Sequence, residues 1–254
     1  MKRLHFIAIG GSAMHNLALA LQAKGCEVSG SDDAIFEPSK SRLEKAGLLP
    51  VELGWDETRI TPELDGVILG MHAKKDNPEL LAAQVLGVKI YSYPEFLYEQ
   101  SKAKTRVVIA GSHGKTSITA MVLHVLNYHD IEVDFMVGAQ LDGFDTMVHL
   151  TDSNDFMLIE GDEYLSSPID LQPKFLWYKP HVTLISGIAW DHINVFPTLT
   201  DYEDQFRKYI ETIVPGGAVV YNKEDAVLTR LISQSENTIR RQSYQKPAAI
   251  IEQG

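Results

Sequence analysis

Short apolar runs alternate along the chain with longer segments in which apolar residues recur at helical spacing. Such runs are typical of strands buried in a parallel sheet, and the intervening segments predict helices. Predicted strands lie at residues 4–9, 27–31, 66–70, 88–91, 106–110, 133–137, 156–160, 182–186 and 218–221. Predicted helices lie at residues 13–23, 39–46, 115–128, 200–213 and 224–233, and another begins at Asn77. The alternation indicates βαβ units on parallel sheets and therefore an α/β fold.

A short polar segment divides the chain into two series of these units. Residues 101–104 interrupt the apolar pattern, and a new apolar strand begins at Arg106. We therefore predict two α/β domains, one at residues 1–103 and one at residues 104–254. The segment after Asn237 is polar and shows no stop signal for a fold, so we expect the second domain to be truncated.

The composition excludes several classes of protein. Lys and Arg number 23 and Asp and Glu number 34, so the net charge is −11, which argues against a nucleic-acid or anionic-membrane partner. Cys26 is the single cysteine, which excludes an intramolecular disulfide and a cysteine-based zinc site. The sequence shows no secretory-signal pattern, and no apolar run approaches the ~18 residues of a membrane span. We expect a cytoplasmic protein.

The most specific motif is a glycine-rich loop between a predicted strand and a predicted helix. It comprises Gly111, Ser112, His113, Gly114, Lys115, Thr116 and Ser117. Glycines let backbone N–H groups approach phosphate oxygens, and the N-terminus of the following helix favours negative charge. Lys115 is placed to reach the β- and γ-phosphates, and Thr116 is placed to offer its hydroxyl to Mg²⁺. Ile109 stands where the strict pattern has a glycine, so we predict a shorter phosphate loop that binds ATP, in a domain of the P-loop ATPase type.

A weaker glycine loop follows the first predicted strand. Gly10-Gly11-Ser12 precedes a helix, as in a Rossmann-like domain, but Ala8 and Ala13 stand where two outer glycines of the dinucleotide-binding pattern are sought. Asp32 follows the second strand, where a dehydrogenase has its ribose-binding acid. Three interpretations of this loop remain open: a tight turn with no ligand, a site for a nicotinamide nucleotide, or a site for a UDP-linked substrate. The ATP loop elsewhere in the chain favours the UDP-linked substrate.

Acidic residues and a histidine follow two later strands. Glu160 ends the predicted strand at residues 156–160, and the carboxyl end of that strand is expected beside the phosphate loop, where a metal needs oxygen ligands. Asp162 and Glu163 follow directly, and for these two residues a solvated acidic turn is as good an interpretation as a metal site. Asp191-His192 follow the strand at residues 182–186, where the imidazole is placed to reach Mg²⁺ or a phosphate.

Together these motifs resemble the Mur ligases of peptidoglycan assembly. The matching segments are the phosphate loop, Glu160-Gly161-Asp162-Glu163 and Asp191-His192. Residues 5–14, Gly30-Ser31-Asp32, His72-Ala73 and Asn77-Pro78-Glu79 resemble the domain of that family that binds UDP-N-acetylmuramate. The chain departs from the family pattern at four positions, where Ala8 and Ala13 replace glycines, Gly161 replaces an alanine and Gly187 replaces an asparagine.

The resemblance implies an ATP-dependent ligase that forms a C–N bond in peptidoglycan recycling or synthesis. The carboxylate of UDP-N-acetylmuramate would become an acyl phosphate, which the amine of an amino acid or peptide would then attack. Residues 30–39 and 191–196 favour the branch whose amine donor is L-alanyl-γ-D-glutamyl-meso-diaminopimelate over the branch that uses L-alanine. The family's third domain, which helps to bind the amine donor, is expected to be absent from these residues.

The resemblance also implies roles for individual residues. The expected catalytic residues are Lys115, Glu160 and His192, and the expected ligands of Mg²⁺ are Thr116, Glu160 and His192. Residues 111–117 are expected to bind ATP. The expected contacts of the sugar nucleotide are Gly10, Gly11, Ser12, Ser31, Asp32 and His72.

Two functions of other classes remain open. One is a non-catalytic module that binds a sugar nucleotide, which the missing third domain would suit. The other is a nicotinamide-dependent oxidoreductase that uses Gly10, Gly11 and Asp32, although this function leaves the phosphate loop unexplained.

Overall fold

A computed structural model describes residues 1–141, 143–144, 146–191 and 193–247. The strands are β1 (Arg3–Ile7), β2 (Glu27–Ser31), β3 (Gly66–Leu69), β4 (Ile90–Ser92), β5 (Thr105–Ala110), β6 (Asp134–Met136), β7 (Val148–His149), β8 (Phe156–Glu160), β9 (Val182–Ile185), β10 (Ala218–Asn222) and β11 (Arg240–Tyr244). The helices are α1 (Ser12–Ala23), α2 (Ser39–Lys45), α3 (Pro78–Leu86), α4 (Tyr93–Ser101), α5 (Lys115–Tyr128), α6 (Leu199–Glu211) and α7 (Ala226–Gln234). Parallel strand pairs dominate, which confirms the predicted α/β class.

The described residues form two compact units. The first contains residues 1–102, 134–154 and 165–172, and the second contains residues 103–133, 155–164 and the described residues from 173 onward. The sequence pattern assigns residues 134–154 and 165–172 to the second domain, whereas here they cluster with the first unit. The limits 1–103 and 104–254 stay a prediction, and each unit is described separately.

The first unit is built on a parallel sheet in the order β2-β1-β3-β4. Helix α3 shows how local sequence sets an element. The Asn77 side chain accepts hydrogen bonds from the N–H groups of Glu79 and Leu80, Pro78 occupies the first turn, and Gly87 ends the helix at φ +68°. The helix packs Leu80 and Ala83 into a core with Ile7, Val67 and Leu69 of the sheet.

Residues 134–154 join the first unit through polar as well as apolar contacts. Asn16 of α1 is fully buried, and its side-chain oxygen accepts from the Met147 N–H at 3.1 Å and from Arg42 at 3.1 Å. Its amide nitrogen donates to the Ser12 carbonyl at 2.9 Å. A buried amide requires such partners, so α1 is matched to this later segment.

The second unit contains five parallel strands in the order β11-β10-β9-β5-β8. Helix α6 packs Phe206 and Tyr209 against Phe175, whose ring stacks on Tyr209 with a centroid distance of 4.4 Å. Strand β11 lies in the polar segment after Asn237, where the sequence predicts no strand. It is an edge strand with mostly exposed side chains, so it lacks the apolar pattern that predicts buried strands.

Within the described residues, no helix combines the length and the apolar character needed to cross a membrane.

Candidate functional site

The phosphate loop lies between β5 and α5, and its two glycines have backbone conformations that other residues rarely adopt. Gly111 has φ +119°, and a Cβ added there would lie 2.2 Å from the Ser186 hydroxyl oxygen. Gly114 has φ +79° and precedes the first residue of α5. Left-handed backbone at both positions, with no room for a side chain at Gly111, explains why the loop requires glycine. The N–H groups of the first turn of α5 carry no side-chain cap.

Lys115 begins α5, and its ammonium group is surrounded by acceptors. The ammonium donates to the Gly111 carbonyl at 2.7 Å, to the Ser112 carbonyl at 3.3 Å and to a Glu163 carboxylate oxygen at 2.8 Å. The Lys115 side chain is 13% exposed and that of Glu163 is 0% exposed. Sequence reasoning left Glu163 as an equal choice with a solvated turn, whereas the structure places it as the buried partner of the loop lysine.

Thr116 and Glu160 lie side by side, as expected for a shared metal. The Thr116 hydroxyl donates to a Glu160 carboxylate oxygen at 2.8 Å. Strand pairing explains this placement, because Glu160 at the end of β8 is in register with Ile109 of β5, just before the loop. Two oxygen ligands this close together suit a hard cation such as Mg²⁺. This ion takes one or two carboxylates and completes its coordination shell with phosphates and water. His192, the third expected ligand, lies outside the described residues.

Mg²⁺ sites of that kind do not need a cage of protein side chains. The described part of the chain contains no group of three or more His, Cys, Asp or Glu residues arranged to hold a metal, so the fit to Mg²⁺ is judged on the Thr116 and Glu160 oxygens alone. The residues present therefore fit Mg²⁺ held jointly by protein and nucleotide.

A chain of hydroxyl groups joins the loop to Glu163. The Ala189 N–H donates to the Ser112 hydroxyl oxygen at 2.8 Å, and Ser112 and Tyr202 hydroxyls are 2.8 Å apart. The Tyr202 hydroxyl donates to the second Glu163 oxygen at 3.0 Å. Burial and the nearby Glu163 charge raise the pKa of Tyr202, so the hydroxyl stays protonated as a donor. Sequence reasoning missed Tyr202, because nothing in the pattern of α6 links it to a loop ninety positions earlier.

His113, Ser117 and Asp162 do not belong to this chain of hydrogen bonds. His113 and Ser117 are exposed, and the His113 carbonyl accepts from the Ser186 hydroxyl at 2.7 Å. Asp162 faces Lys174 at 2.5 Å. Burial alone would raise the pKa of Asp162, but the charge of Lys174 and its hydrogen bond outweigh burial and lower this pKa. Asp162 is therefore an ionised partner of Lys174.

In the first unit, Asp32 holds the glycine loop after β1. Its carboxylate accepts from the Gly10 N–H at 2.7 Å and from the Ala34 N–H at 3.4 Å. Asp32 is 5% exposed, and burial raises the pKa of its carboxyl above the usual range despite these hydrogen bonds. A Cβ at Gly10 would lie 2.9 Å from that carboxylate. Asp32 therefore supports the loop, and little of its carboxylate is accessible to a ribose hydroxyl.

The rest of this loop leads into α1. Gly11 precedes the helix and Ser12 is its first residue, with no side-chain cap and no acidic residue in the first turn. Ala8, where the resemblance leads us to expect a glycine, has φ +68°. This left-handed conformation is the reason that a glycine suits the position.

Ser31 is the expected contact that the structure places away from the surface. It is fully buried, and its hydroxyl donates to Glu79 of α3. Glu79 also bonds His5 at 3.3 Å and accepts from the Asp56 N–H at 3.0 Å. Burial alone would raise the pKa of Glu79, but these hydrogen bonds outweigh burial and lower it. No pattern in the sequence indicates this network, apart from Asn77-Pro78-Glu79 as a helix start.

His72 is exposed and lines a cavity of about 210 Å³ in the first unit. The other lining residues are Asp33, Trp55, Lys74, Asp76, Asn77 and Pro78. An indole, an ammonium group and an imidazole around one cavity can contact a base, a phosphate and a sugar hydroxyl respectively. Trp55 and Lys74 are further residues that sequence reasoning missed, because they belong to loops without a motif.

Comparison with known sequences matches both units. Residues 3–105 match the Mur ligase family, catalytic domain, and residues 109–253 match the Mur ligase middle domain. The UDP-N-acetylmuramate--L-alanyl-gamma-D-glutamyl-meso-2,6-diaminoheptandioate ligase of Escherichia coli (strain K12) is 30% identical over 233 residues, 91% of this chain and 50% of that protein. The UDP-N-acetylmuramate--L-alanine ligase of Clostridium acetobutylicum is 32% identical over 235 residues, 92% of this chain and 49% of that protein. The chain spans about half the length of these relatives.

Solved structures agree with this assignment. The UDP-N-acetylmuramate:L-alanyl-gamma-D-glutamyl-meso-diaminopimelate ligase from Neisseria meningitides superposes with a TM-score of 0.86 at 28% identity, covering 96% of this chain and 78% of that chain. The UDP-N-acetylmuramate-alanine ligase from Thermotoga maritima gives a TM-score of 0.70 at 25% identity, covering 91% of this chain and 51% of that chain. Since the middle-domain match alone covers more than half of the chain, the protein belongs to the Mur ligase family.

Proposed function

We propose that this chain contains the sugar-nucleotide-binding and ATP-binding parts of a ligase that joins UDP-N-acetylmuramate to L-alanyl-γ-D-glutamyl-meso-diaminopimelate. The observation that carries the ATP-binding part is the arrangement of Lys115, Thr116 and Glu160 around a loop with two left-handed glycines. Relatives named as ligases of UDP-N-acetylmuramate support the reaction class. L-alanine is the alternative amine donor, because a relative named as a UDP-N-acetylmuramate--L-alanine ligase is 32% identical to this chain, against 30% for the tripeptide ligase.

The proposed reaction has two steps. The lactyl carboxylate of UDP-N-acetylmuramate attacks the γ-phosphorus of ATP, which gives an acyl phosphate and ADP. The free amine of the donor then attacks the acyl carbon, phosphate leaves, and the amine loses a proton as the amide forms. Both steps fit a ligase that forms a C–N bond.

In this proposal the residues of the second unit bind and position the triphosphate. The loop N–H groups at the start of α5 donate hydrogen bonds to the phosphate oxygens, and the Lys115 ammonium stabilises the charge that spreads over the transferring phosphoryl group. Thr116 and Glu160 would hold Mg²⁺, with His192 as the further proposed ligand. Mg²⁺, when bound, neutralises negative charge on the phosphoryl oxygens.

In the first unit we propose that Gly10, Gly11 and Ser12 bind the diphosphate and that His72 contacts the nucleotide from the cavity that it lines. The uncapped first turn of α1 and the cavity that includes Trp55 and Lys74 support this placement. Asp32 and Ser31 would act by holding the loop and the strand end, because both side chains are buried.

Calorimetric titration of the chain with UDP-N-acetylmuramate, with UDP and NADH as controls, tests the substrate. We expect saturable binding of UDP-N-acetylmuramate, weaker binding of UDP and none of NADH. Tight NADH binding would instead support the nicotinamide-dependent function, and failure of all three ligands to bind would contradict the assigned substrate.

The ATP site is tested with the non-hydrolysable analogue AMP-PNP and Mg²⁺. Lys115→Ala should weaken binding by at least about tenfold, because a charge-assisted contact with phosphate is lost. Lys24→Ala is the matched control, since Lys24 is a lysine of the other unit that contacts Gln100 and Asp152. Unchanged affinity in Lys115→Ala would count against the phosphate loop. Binding of UDP-N-acetylmuramate without any binding of AMP-PNP would favour the non-catalytic module.

A further inference from the structure

Lys115 has no ammonium proton left to offer in the observed contacts. Its three acceptors are two carbonyls of the loop and the Glu163 carboxylate. An ammonium group has three donors, so a contact with a phosphate oxygen requires one of these to be given up. The two carbonyls belong to the loop itself, whereas Glu163 lies 48 positions away, beyond β8.

The Glu163 carboxylate is a strong competitor for this ammonium group. Its side chain is 0% exposed, and its distance to the Lys115 nitrogen is 2.8 Å. Burial removes the screening that makes ion pairs at the protein surface weak. Tyr202 fixes the carboxylate from the other side, and Ser112 and the Ala189 N–H fix Tyr202 in turn.

We propose that Glu163 is a positioning residue that holds Lys115 until the ATP phosphates replace it. This inference rests on the proposed function, because it concerns the same nucleotide site. ATP binding then includes an exchange of partners in which the Lys115 ammonium leaves the Glu163 carboxylate and bonds phosphate oxygen. The hold of Glu163 lowers the affinity for ATP and keeps the lysine ordered at the mouth of the loop.

The exchange has a consequence that distinguishes it from a purely structural ion pair. Glu163→Gln keeps the shape and the hydrogen bond with Tyr202 but removes the charge that holds Lys115. The affinity for AMP-PNP should therefore rise by about tenfold, because a hydrogen bond to a charged group no longer has to be broken. AMP lacks the β- and γ-phosphates that Lys115 contacts, so its affinity should stay unchanged.

Two control variants separate this effect from others. Asp162→Asn removes a neighbouring negative charge that pairs with Lys174 and acts on Lys115 only through its charge, so a general gain of positive potential would appear there too. Tyr209→Phe removes a buried hydroxyl from the same helix as Tyr202, where it bonds Thr183 at 2.7 Å. Both should change the affinity for AMP-PNP less than twofold. In a Lys115→Ala background, Glu163→Gln should give no gain.

The experiment is calorimetric titration of the wild-type chain and these variants with AMP-PNP and with AMP, in the presence of Mg²⁺. Thermal melting first shows that each variant folds. An unchanged or weaker affinity for AMP-PNP in Glu163→Gln, or an equal gain in Asp162→Asn, overturns the proposal while leaving the proposed function intact. Failure of the wild-type chain to bind AMP-PNP overturns both. If Glu163→Gln does not fold, a crystal structure of the wild-type chain with AMP-PNP decides. We expect the Lys115–Glu163 contact to open beyond 4 Å, and a contact kept at hydrogen-bond distance contradicts the exchange.

Discussion

At the scale of single residues, Gly111 controls whether the phosphate loop can form. Gly111→Ala adds a Cβ at a position with φ +119° and 2.2 Å from the Ser186 hydroxyl oxygen. Left-handed strain and overpacking each cost about 1–3 kcal/mol, so we expect a loss of about 2–6 kcal/mol in the free energy of unfolding of the second unit. We also expect binding of AMP-PNP to be lost. Urea unfolding and calorimetric titration measure the two effects.

Gly25 provides the matched control for this substitution. It has φ +90°, and a Cβ there would meet nothing within 4 Å. Gly25→Ala should therefore cost only the left-handed strain of about 1–2 kcal/mol and leave AMP-PNP binding unchanged. Equal losses in the two variants would show that crowding at Ser186 has no part in the requirement for glycine.

The residues that the sequence could predict are those joined by a local motif. Lys115 and Thr116 belong to one continuous loop, and Glu160 follows from its place at a strand end. Glu163 was ambiguous and Tyr202 was missed, because their contacts depend on side-chain directions across two elements. Ser31 lies in a motif, yet its side chain faces the interior, since the face of a strand residue depends on the packing of α3.

At the scale of elements, Glu79 connects α3 to two strands of the first sheet. It bonds His5 of β1, Ser31 of β2 and the backbone N–H of Asp56. Glu79→Gln should destabilise this contact by about 2–4 kcal/mol at pH 7, because a buried carboxylate with several donors is replaced by an amide that competes for them. Hydrogen exchange of the β1 and β2 amides reports the local loss.

The pH dependence of this effect follows from the lowered pKa of Glu79. The folded pKa lies below the unfolded value of about 4.3, so the carboxylate stabilises the fold above that pH. The contribution disappears as the pH falls through the lowered folded pKa. The difference between wild type and Glu79→Gln should therefore be largest near neutral pH and shrink below about pH 4. Glu44→Gln, at an exposed site on α2, should show no such difference, and a constant difference at all pH values would contradict this role for Glu79.

The element pattern was predictable where strands are buried and helices carry clear end signals. Asn77 and Pro78 begin α3 as expected, and the parallel strands up to β10 lie close to the predicted runs. Strand β11 was not predicted, because an exposed edge strand with the sequence Arg-Arg-Gln-Ser-Tyr has no apolar face. The short pair β6 and β7 is antiparallel and belongs with the first unit, which no local signal indicates.

At the scale of the whole molecule, the first unit is not continuous in sequence. Residues 134–154 and 165–172 return to it after the phosphate loop and α5. They supply the Met147 N–H to the buried Asn16 side chain, and Asp152 lies 2.8 Å from Lys24. A boundary drawn from composition alone places both segments elsewhere, because their contacts with the first unit join residues far apart in sequence, 131 positions for Asn16 and Met147 and 78 positions for Ser92 and Asp170.

A fragment that ends at residue 103 tests whether this return is required for stability. The fragment loses the Met147 N–H that bonds the Asn16 side chain, while Arg42 and Ser12 remain as its partners, and the loss of one such hydrogen bond costs about 0.5–1.5 kcal/mol. For a domain of this size that loss lowers the melting temperature by several degrees, measured by calorimetry against the first unit in the full chain. Asn16→Ala should destabilise the full chain by at least as much and the fragment by less, because the fragment has already lost one of the contacts. Equal melting temperatures for the fragment and the unit in the full chain would instead support a domain that ends at residue 103.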